Sequence, residues 1–276
     1  MKSNMLKRVL LITVLSTIVL VSCKEQAKGA DNASSEQLNS KSNSSNFNPL
    51  TFDDYLPAPS ENQIVNHKYY TFSYDDNAEQ AEWLAYELKE NYIVNNDFKR
   101  PYFIEDKLVK AKSADWRNYK KSGYDRGHLC PAGDMEFDKN AYNDTFYTSN
   151  ISPQDHDFNA GIWNRLEQKV RYWSTKYDGV YVITGGVLKN TTKTIGTENV
   201  VVPDYFYKIV FDDDHNKLKA IAFLMPNKKS DAPLYTFVVS IDQIEEMTGI
   251  DFFPKVNDDI ENALEKNSGY KDWALN

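Results

Sequence analysis

An arginine stands two residues before a histidine in the segment Tyr124-Asp125-Arg126-Gly127-His128-Leu129-Cys130-Pro131-Ala132-Gly133-Asp134-Met135. The fixed fork of an arginine matches two phosphate oxygens. A histidine takes or gives a proton near neutral pH. Both on one tight segment point to chemistry on a phosphodiester. The four letters Asp-Arg-Gly-His alone fit an ordinary surface loop equally well. His67, His156 and His215 carry no comparable motif. His156 sits between Asp155 and Asp157, but adjacent side chains point in different directions, so this stretch reads as a polar loop. Neither a His-Glu-x-x-His run nor paired cysteines occur, which argues against zinc.

A second block follows, Asn150-Ile151-Ser152-Pro153-Gln154 and then Phe158-Asn159-Ala160-Gly161-Ile162-Trp163-Asn164-Arg165-Leu166-Glu167. Together the two blocks resemble the DNA/RNA non-specific endonuclease family, with its ββα-metal (His-Me finger) site. The resemblance runs from about Phe98 to about Pro254. It implies that His128 is the general base toward the attacking water. It also implies that Asn159 is the one direct protein ligand of Mg²⁺, with Mn²⁺ as an alternative ion. From the residues alone, Asn159 serves equally well as a helix N-cap. Neutral oxygens suit a hard ion that keeps several waters. Arg126 is expected on the scissile or a neighbouring phosphate. Arg100, in Phe98-Lys99-Arg100-Pro101, matches a family arginine that stabilises the transition state. Asn150 and Gln154 are expected to fix the loop and the surroundings of the metal, and Asp125 to secure the turn.

Glu167 lies eight residues after Asn159. In a regular helix that is about 80° around and ~12 Å along the axis, so shared binding of one ion is not expected. Glu167 is read as ordering metal-bound waters or holding an arginine, with Arg171 one turn on as its i,i+4 partner. The implied reaction is metal-dependent hydrolysis of DNA and RNA that leaves 5′-phosphates. Nothing resembles a sequence-reading module, so little sequence preference is expected. Two rival readings remain at this point. One is a phosphodiesterase for nucleotides or small phosphodiesters; the other is a nucleic-acid-binding lipoprotein without catalysis.

The N-terminus reads as an export signal. Lys2, Lys7 and Arg8 precede a short apolar run, Val9 to Val21. Leu20-Val21-Ser22-Cys23 resembles a lipoprotein box, which implies residues 1–22 as signal peptide and lipid on Cys23. Residues 23–49 are polar and read as a flexible tether; residues 50–276 read as a single endonuclease domain. The expected location is therefore an exported, membrane-anchored lipoprotein, periplasmic or on the cell surface, with no protein partner evident. Cys130 is the only other cysteine, and it reads as a small packing residue beneath the loop, not a nucleophile.

The full chain carries a formal charge of −8. Without residues 1–22 it keeps 29 basic and 40 acidic residues, an unusual balance for a partner of polyanions. The charge is uneven, however. Lys99, Arg100, Lys107, Lys110, Lys112, Arg117, Lys120, Lys121 and Arg126 outnumber Glu105, Asp106, Asp115 and Asp125 on the approach to His128.

The elements that must position these residues are legible in outline. Ala81, Leu84, Ala85 and Leu88 follow helical spacing, and predict a helix over 77–90 with Asn77 as N-cap. Ile162, Leu166, Val170, Trp173 and Tyr177 predict another over 159–177. Ser240 and Gln243 fit a capping box for a third that ends near Gly249. Runs at 180–187, 200–211, 218–225 and 235–240 read as strands, with Asp212 to Asn216 as a turn. Phe52, Tyr55, Phe252 and Phe253 read as core. The class is α+β, with a central, mostly antiparallel sheet flanked by helices.

Overall fold

The computed structural model of the chain describes residues 50–214 and 217–275. The expected signal, Cys23 and the tether lie outside the described residues, as do His215 and Asn216 of the expected turn.

Eleven strands are present among the described residues: β1 (Gln63–Asn66), β2 (Tyr70–Asp75), β3 (Gln80–Leu88), β4 (Asp125–His128), β5 (Ile151–Gln154), β6 (Val180–Gly186), β7 (Thr194–Ile195), β8 (Val200–Val201), β9 (Tyr205–Asp214), β10 (Lys217–Pro226) and β11 (Val238–Val239). The helices are α1 (Lys139–Asp144), α2 (Asn164–Lys176), α3 (Ile241–Thr248) and α4 (Asp258–Lys266). Seven strands form one sheet in the order β1-β2-β3-β6-β9-β10-β11, and every neighbouring pair is antiparallel. The expected class, α+β with an antiparallel sheet, holds.

Alternation of side chains gives the sheet two buried faces. Leu84, Tyr86 and Leu88 of β3, Val182 of β6, Phe206 and Val210 of β9 and Phe223 of β10 belong to one core. Trp83, Ala85, Ile183, Tyr207, Ile209, Phe211 and Ala222 belong to the other. α2 covers the first face through Leu166, Val170 and Trp173. α3 and α4 cover the second through Ile241, Ile244 and Leu264, with Phe252 and Phe253. A smaller cluster of Ala114, Tyr119, Ile151, Ile195, Val200 and Val202 seats β5.

The chain over 77–90 is not a helix. Asn77 lies in a turn, its N–H bonded to Asp75 Oδ1 at 2.8 Å, and β3 follows. β3 is central and buried on both faces: Ala81, Trp83, Leu84, Ala85, Tyr86 and Leu88 are all inside. A strand covered on both sides loses its polar alternation. Its four aliphatic residues then fall by chance on a helical spacing, while Trp83 and Tyr86 carry the β preference. Two strand readings also shift. Val200 to Phe211 is broken by Pro203 and Asp204, so that β8 pairs with β7 while β9 begins at Tyr205. Over 235–240, a 3₁₀ turn at Leu234–Phe237 leaves only the two residues of β11 in the sheet. The third predicted helix is α3. Ser240 and Gln243 close a reciprocal capping box, and Gly249 ends the helix in the left-handed region at φ 77°.

Candidate active site

β4 and β5 form a two-stranded ribbon beside the main sheet, in the register Asp125↔Gln154, Arg126↔Pro153, Gly127↔Ser152 and His128↔Ile151. A π-helical turn, Phe158–Trp163, then leads into α2. Strand, strand and helix thus stand together in a ββα unit. Its close approach is made by Gly127: a Cβ there would lie 2.2 Å from the side chain of Gln154, which is fully buried. The ribbon is extended at one end by Asn150, which is also buried. Its Oδ1 accepts from the Cys130 N–H at 2.8 Å, and its Nδ2 donates to the carbonyls of Cys130 at 3.0 Å and Thr145 at 2.8 Å. Asn150 therefore holds the backbone that follows His128. Cys130 is wholly buried in the first core, and burial pushes its thiol well above the ordinary range, the setting of a packing residue.

Arg126 and His128 sit two apart on the ribbon and so share a face. The guanidinium of Arg126 lies 4.9 Å from the centre of the Phe103 ring, and that of Arg100 lies 5.4 Å from the same ring and 5.3 Å from Phe146. The His128 ring is 5.7 Å from Phe103 and 5.1 Å from Phe146. Two aromatic rings thus gather Arg100, Arg126 and His128 around one spot. The loop that carries Arg100 and Phe103 is tied to Phe146 by backbone bonds, Ile104 N–H to Phe146 O at 3.3 Å and Thr148 N–H to Ile104 O at 2.9 Å. The sequence reading did not include Phe103 or Phe146. Phe103 follows Arg100 closely in the chain, whereas nothing around Phe146 singled it out.

His128 Nε2 is buried with no hydrogen-bond partner. Burial, then the positive charges of Arg100 and Arg126, hold the imidazole down to about 3. It is therefore neutral at physiological pH and, without a neighbouring anion, a weak base.

Asp125 faces the other way. Its Oδ2 accepts from Asn159 Nδ2 at 3.0 Å and meets His156 Nδ1 at 2.9 Å. That contact raises His156 above its usual value, the Asp125 hydrogen bond being the largest cause. His156 is thus a neighbour of the site and not merely part of a polar loop. Asn159 does not cap a helix: its N–H is already bonded to Asp155 O at 2.8 Å, and Asp155 Oδ1 accepts the Phe158 N–H at 3.0 Å. Asn159 lies inside the wide turn, where Gly161 departs from helical geometry (φ −101°, ψ −106°). A regular-helix reckoning of its angle to Glu167 therefore fails, because a π-turn advances fewer degrees per residue.

Glu167 and Arg171 are not hydrogen-bonded to each other as expected. Arg171 Nη1 reaches Asp134 Oδ1 at 2.5 Å instead. Asp134 is fully buried and also accepts from Tyr86 OH at 2.8 Å. One carboxylate thus joins the end of the His128 segment to α2 and β3. Behind it Lys208 of β9 is wholly buried, 4.7 Å over the Trp163 ring. Burial lowers Lys208, and Glu167 and Asp134 counteract that. Glu167 is pushed up to about 7 by burial, with Asp134 adding to the rise and Lys208 and Arg171 opposing it. Asp134, Tyr86 and Lys208 were missed in the sequence, although Asp134 stands in the motif segment itself. Gln154 is buried with neither amide atom hydrogen-bonded, and packs beneath Gly127. His67 lies elsewhere, paired with buried Asp106 at 2.8 Å.

A ββα unit that presents a histidine, an arginine and an asparagine amide, with a second arginine beside it on the loop at Arg100, fits a site of the phosphodiester-hydrolysing type. Residues 50–259 match the model of the DNA/RNA non-specific endonuclease family, and the chain belongs to that family. Among similar proteins, the mitochondrial nuclease EXOG of Mus musculus is 35% identical over 213 residues, 71% of this chain and 57% of the relative. Human mitochondrial endonuclease G is 32% identical over 212 residues, 70% of each chain. A solved structure of the EndoG/EndoGI complex matches with a TM-score of 0.68 and 30% identity, over 75% of this chain and 91% of that one. The chain spans about three fifths of the length of the EXOG relatives it matches.

Proposed function

We propose that the protein is a metal-dependent endonuclease that hydrolyses DNA and RNA with little sequence preference and leaves 5′-phosphates. The observation that carries this reading is the convergence of His128 and Arg126 of the ribbon with Arg100 of the neighbouring loop around Phe103 and Phe146, with Asn159 held to Asp125 of the same strand. Asn159 fits a Mg²⁺ or Mn²⁺ ligand. Its amide nitrogen is committed to Asp125, which leaves the neutral oxygen as the donor a hard cation prefers. When bound, the ion would relieve charge on the phosphoryl and leaving oxygens.

The chain's own residues do the rest. Arg126 and Arg100 bind and orient the phosphate through their forks. His128, neutral and held by the ribbon, takes the proton of the attacking water. Asp125 orients the Asn159 amide, and Asn150 fixes the backbone beyond His128. The Asp134–Arg171 pair anchors α2 against the motif.

The test is nicking of supercoiled plasmid with Mg²⁺. His128→Ala should lower the rate about 10²–10⁴-fold, the usual worth of a general base, with an unchanged circular dichroism spectrum. EDTA should stop the wild type. Full nicking by His128→Ala, or by the wild type in EDTA, would refute the assignment.

A further inference from the structure

The face of the sheet opposite the ββα unit carries a second polar centre. Asp242 and Glu245 stand three apart on α3, and Glu265 on the last turn of α4 meets them. One carboxylate oxygen from each lies within 4.8 Å of the others. Glu265 is only 8% exposed, and its Oε1 is buried with no hydrogen-bond partner. A buried, unpaired carboxylate oxygen costs free energy unless a donor or a cation meets it. Glu245 is already aimed, since its Oε1 accepts the Phe252 N–H at 2.8 Å. The charges that act on Glu265 are all acidic: Glu245, Glu261, Asp242 and Asp251, which add to the effect of its burial.

We propose that Asp242, Glu245 and Glu265 form a Ca²⁺ site that clips α4 to α3. Ca²⁺ takes oxygen ligands at roughly 2.3–2.6 Å in flexible geometry, so ligand oxygens up to about 5 Å apart can share one ion. Mg²⁺ is held at about 2.0–2.1 Å and prefers a tighter octahedron with several waters. Three carboxylates with no nitrogen or sulfur donor suit a hard cation, and Ca²⁺ accepts such a flexible ligand set more readily than Mg²⁺. α3 and α4 pack on the second core, together with Phe252, Phe253 and Leu264, whereas Leu129, Cys130, Phe158 and Trp163 pack on the first. The site is thus separate from Asn159, and its role is structural.

The experiment uses the full protein with Asn159→Ala, which removes the ββα metal ligand. Calorimetric titration with CaCl₂ should show one ion bound per chain, and Ca²⁺ should raise Tm. Glu265→Gln in that background should abolish both effects. Asp242→Asn, a change at an exposed position that leaves the core intact, should weaken Ca²⁺ at least tenfold. In otherwise wild-type protein, Glu265→Gln should cleave plasmid with Mg²⁺ at the wild-type rate. Absence of binding, or Ca²⁺ binding unaltered by both substitutions, would overturn the proposal. So would loss of Mg²⁺-dependent cleavage in folded Glu265→Gln.

Discussion

His128 is held near 3 by burial and by two arginines, far below the value suited to a base at neutral pH. The arginines explain how both facts can stand. On the proposed mechanism, a phosphate placed on Arg100 and Arg126 would offset their charge and so strengthen His128 as a base. The free protein offers a direct check, the His128 ring-proton shift followed by NMR against pH. Arg126→Ala removes one charge that opposes protonation, so the titration should move upward. It should stay below 6.5, because burial is the larger cause and remains. An unmoved or lowered midpoint would contradict this account. The sign also bears on stability. Between about 6.5 and 3 the unfolded histidine takes a proton that the folded one refuses, so this residue destabilises the fold as pH falls through that window. Glu167, raised to about 7, acts in the opposite sense between the ordinary glutamate value of 4.5 and 7. His128 was legible from its motif. Its electrostatic setting was not, because Phe103 and Phe146, which gather the arginines, are remote from it in the chain.

Among the elements, the β4–β5 ribbon is the part on which the proposed chemistry depends. Gly127 lets the buried Gln154 side chain pass under the strand between Arg126 and His128. A methyl group there has 2.2 Å of room. Gly127→Ala should therefore cost roughly 1–3 kcal/mol by overpacking, seen as a lower midpoint in urea. Nicking should fall more steeply than stability, since the strand that carries His128 must shift. A variant with wild-type stability and activity would show that Gln154 can move aside. The elements also show where local pattern misleads. Helical spacing over 77–90 reported a strand buried on both faces, whereas the capping box at Ser240 and Gln243 reported α3 correctly. A cap is a local hydrogen-bond device that its own residues complete. Apolar spacing only says which side chains are covered, and a central strand is covered everywhere.

For the whole molecule, charge poses the sharpest problem. The acidic total of the chain repels a polyanion, and the basic approach to His128 must guide it. Lys99, Lys107, Lys110, Lys112, Lys120 and Lys121 are all exposed, and Arg117 is partly spent on Asp115 at 2.5 Å. Binding should then be weak and sensitive to salt. If Arg100 and Arg126 neutralise two phosphates, KM for duplex DNA should rise about tenfold between 50 and 200 mM salt, with kcat little changed. A KM indifferent to salt would show that the arginines do not meet phosphate. The family was legible in the sequence, and so were His128, Arg126, Arg100 and Asn159 as the proposed chemical actors, because motif residues carry their chemistry with them. Only the tertiary structure decided their partners. Arg171 takes Asp134 and not Glu167, Asn159 lies in a π-turn held to Asp125, and Lys208 is buried behind them. Pairing between distant segments depends on how the chain is folded onto two faces of one sheet, and no local spacing encodes that.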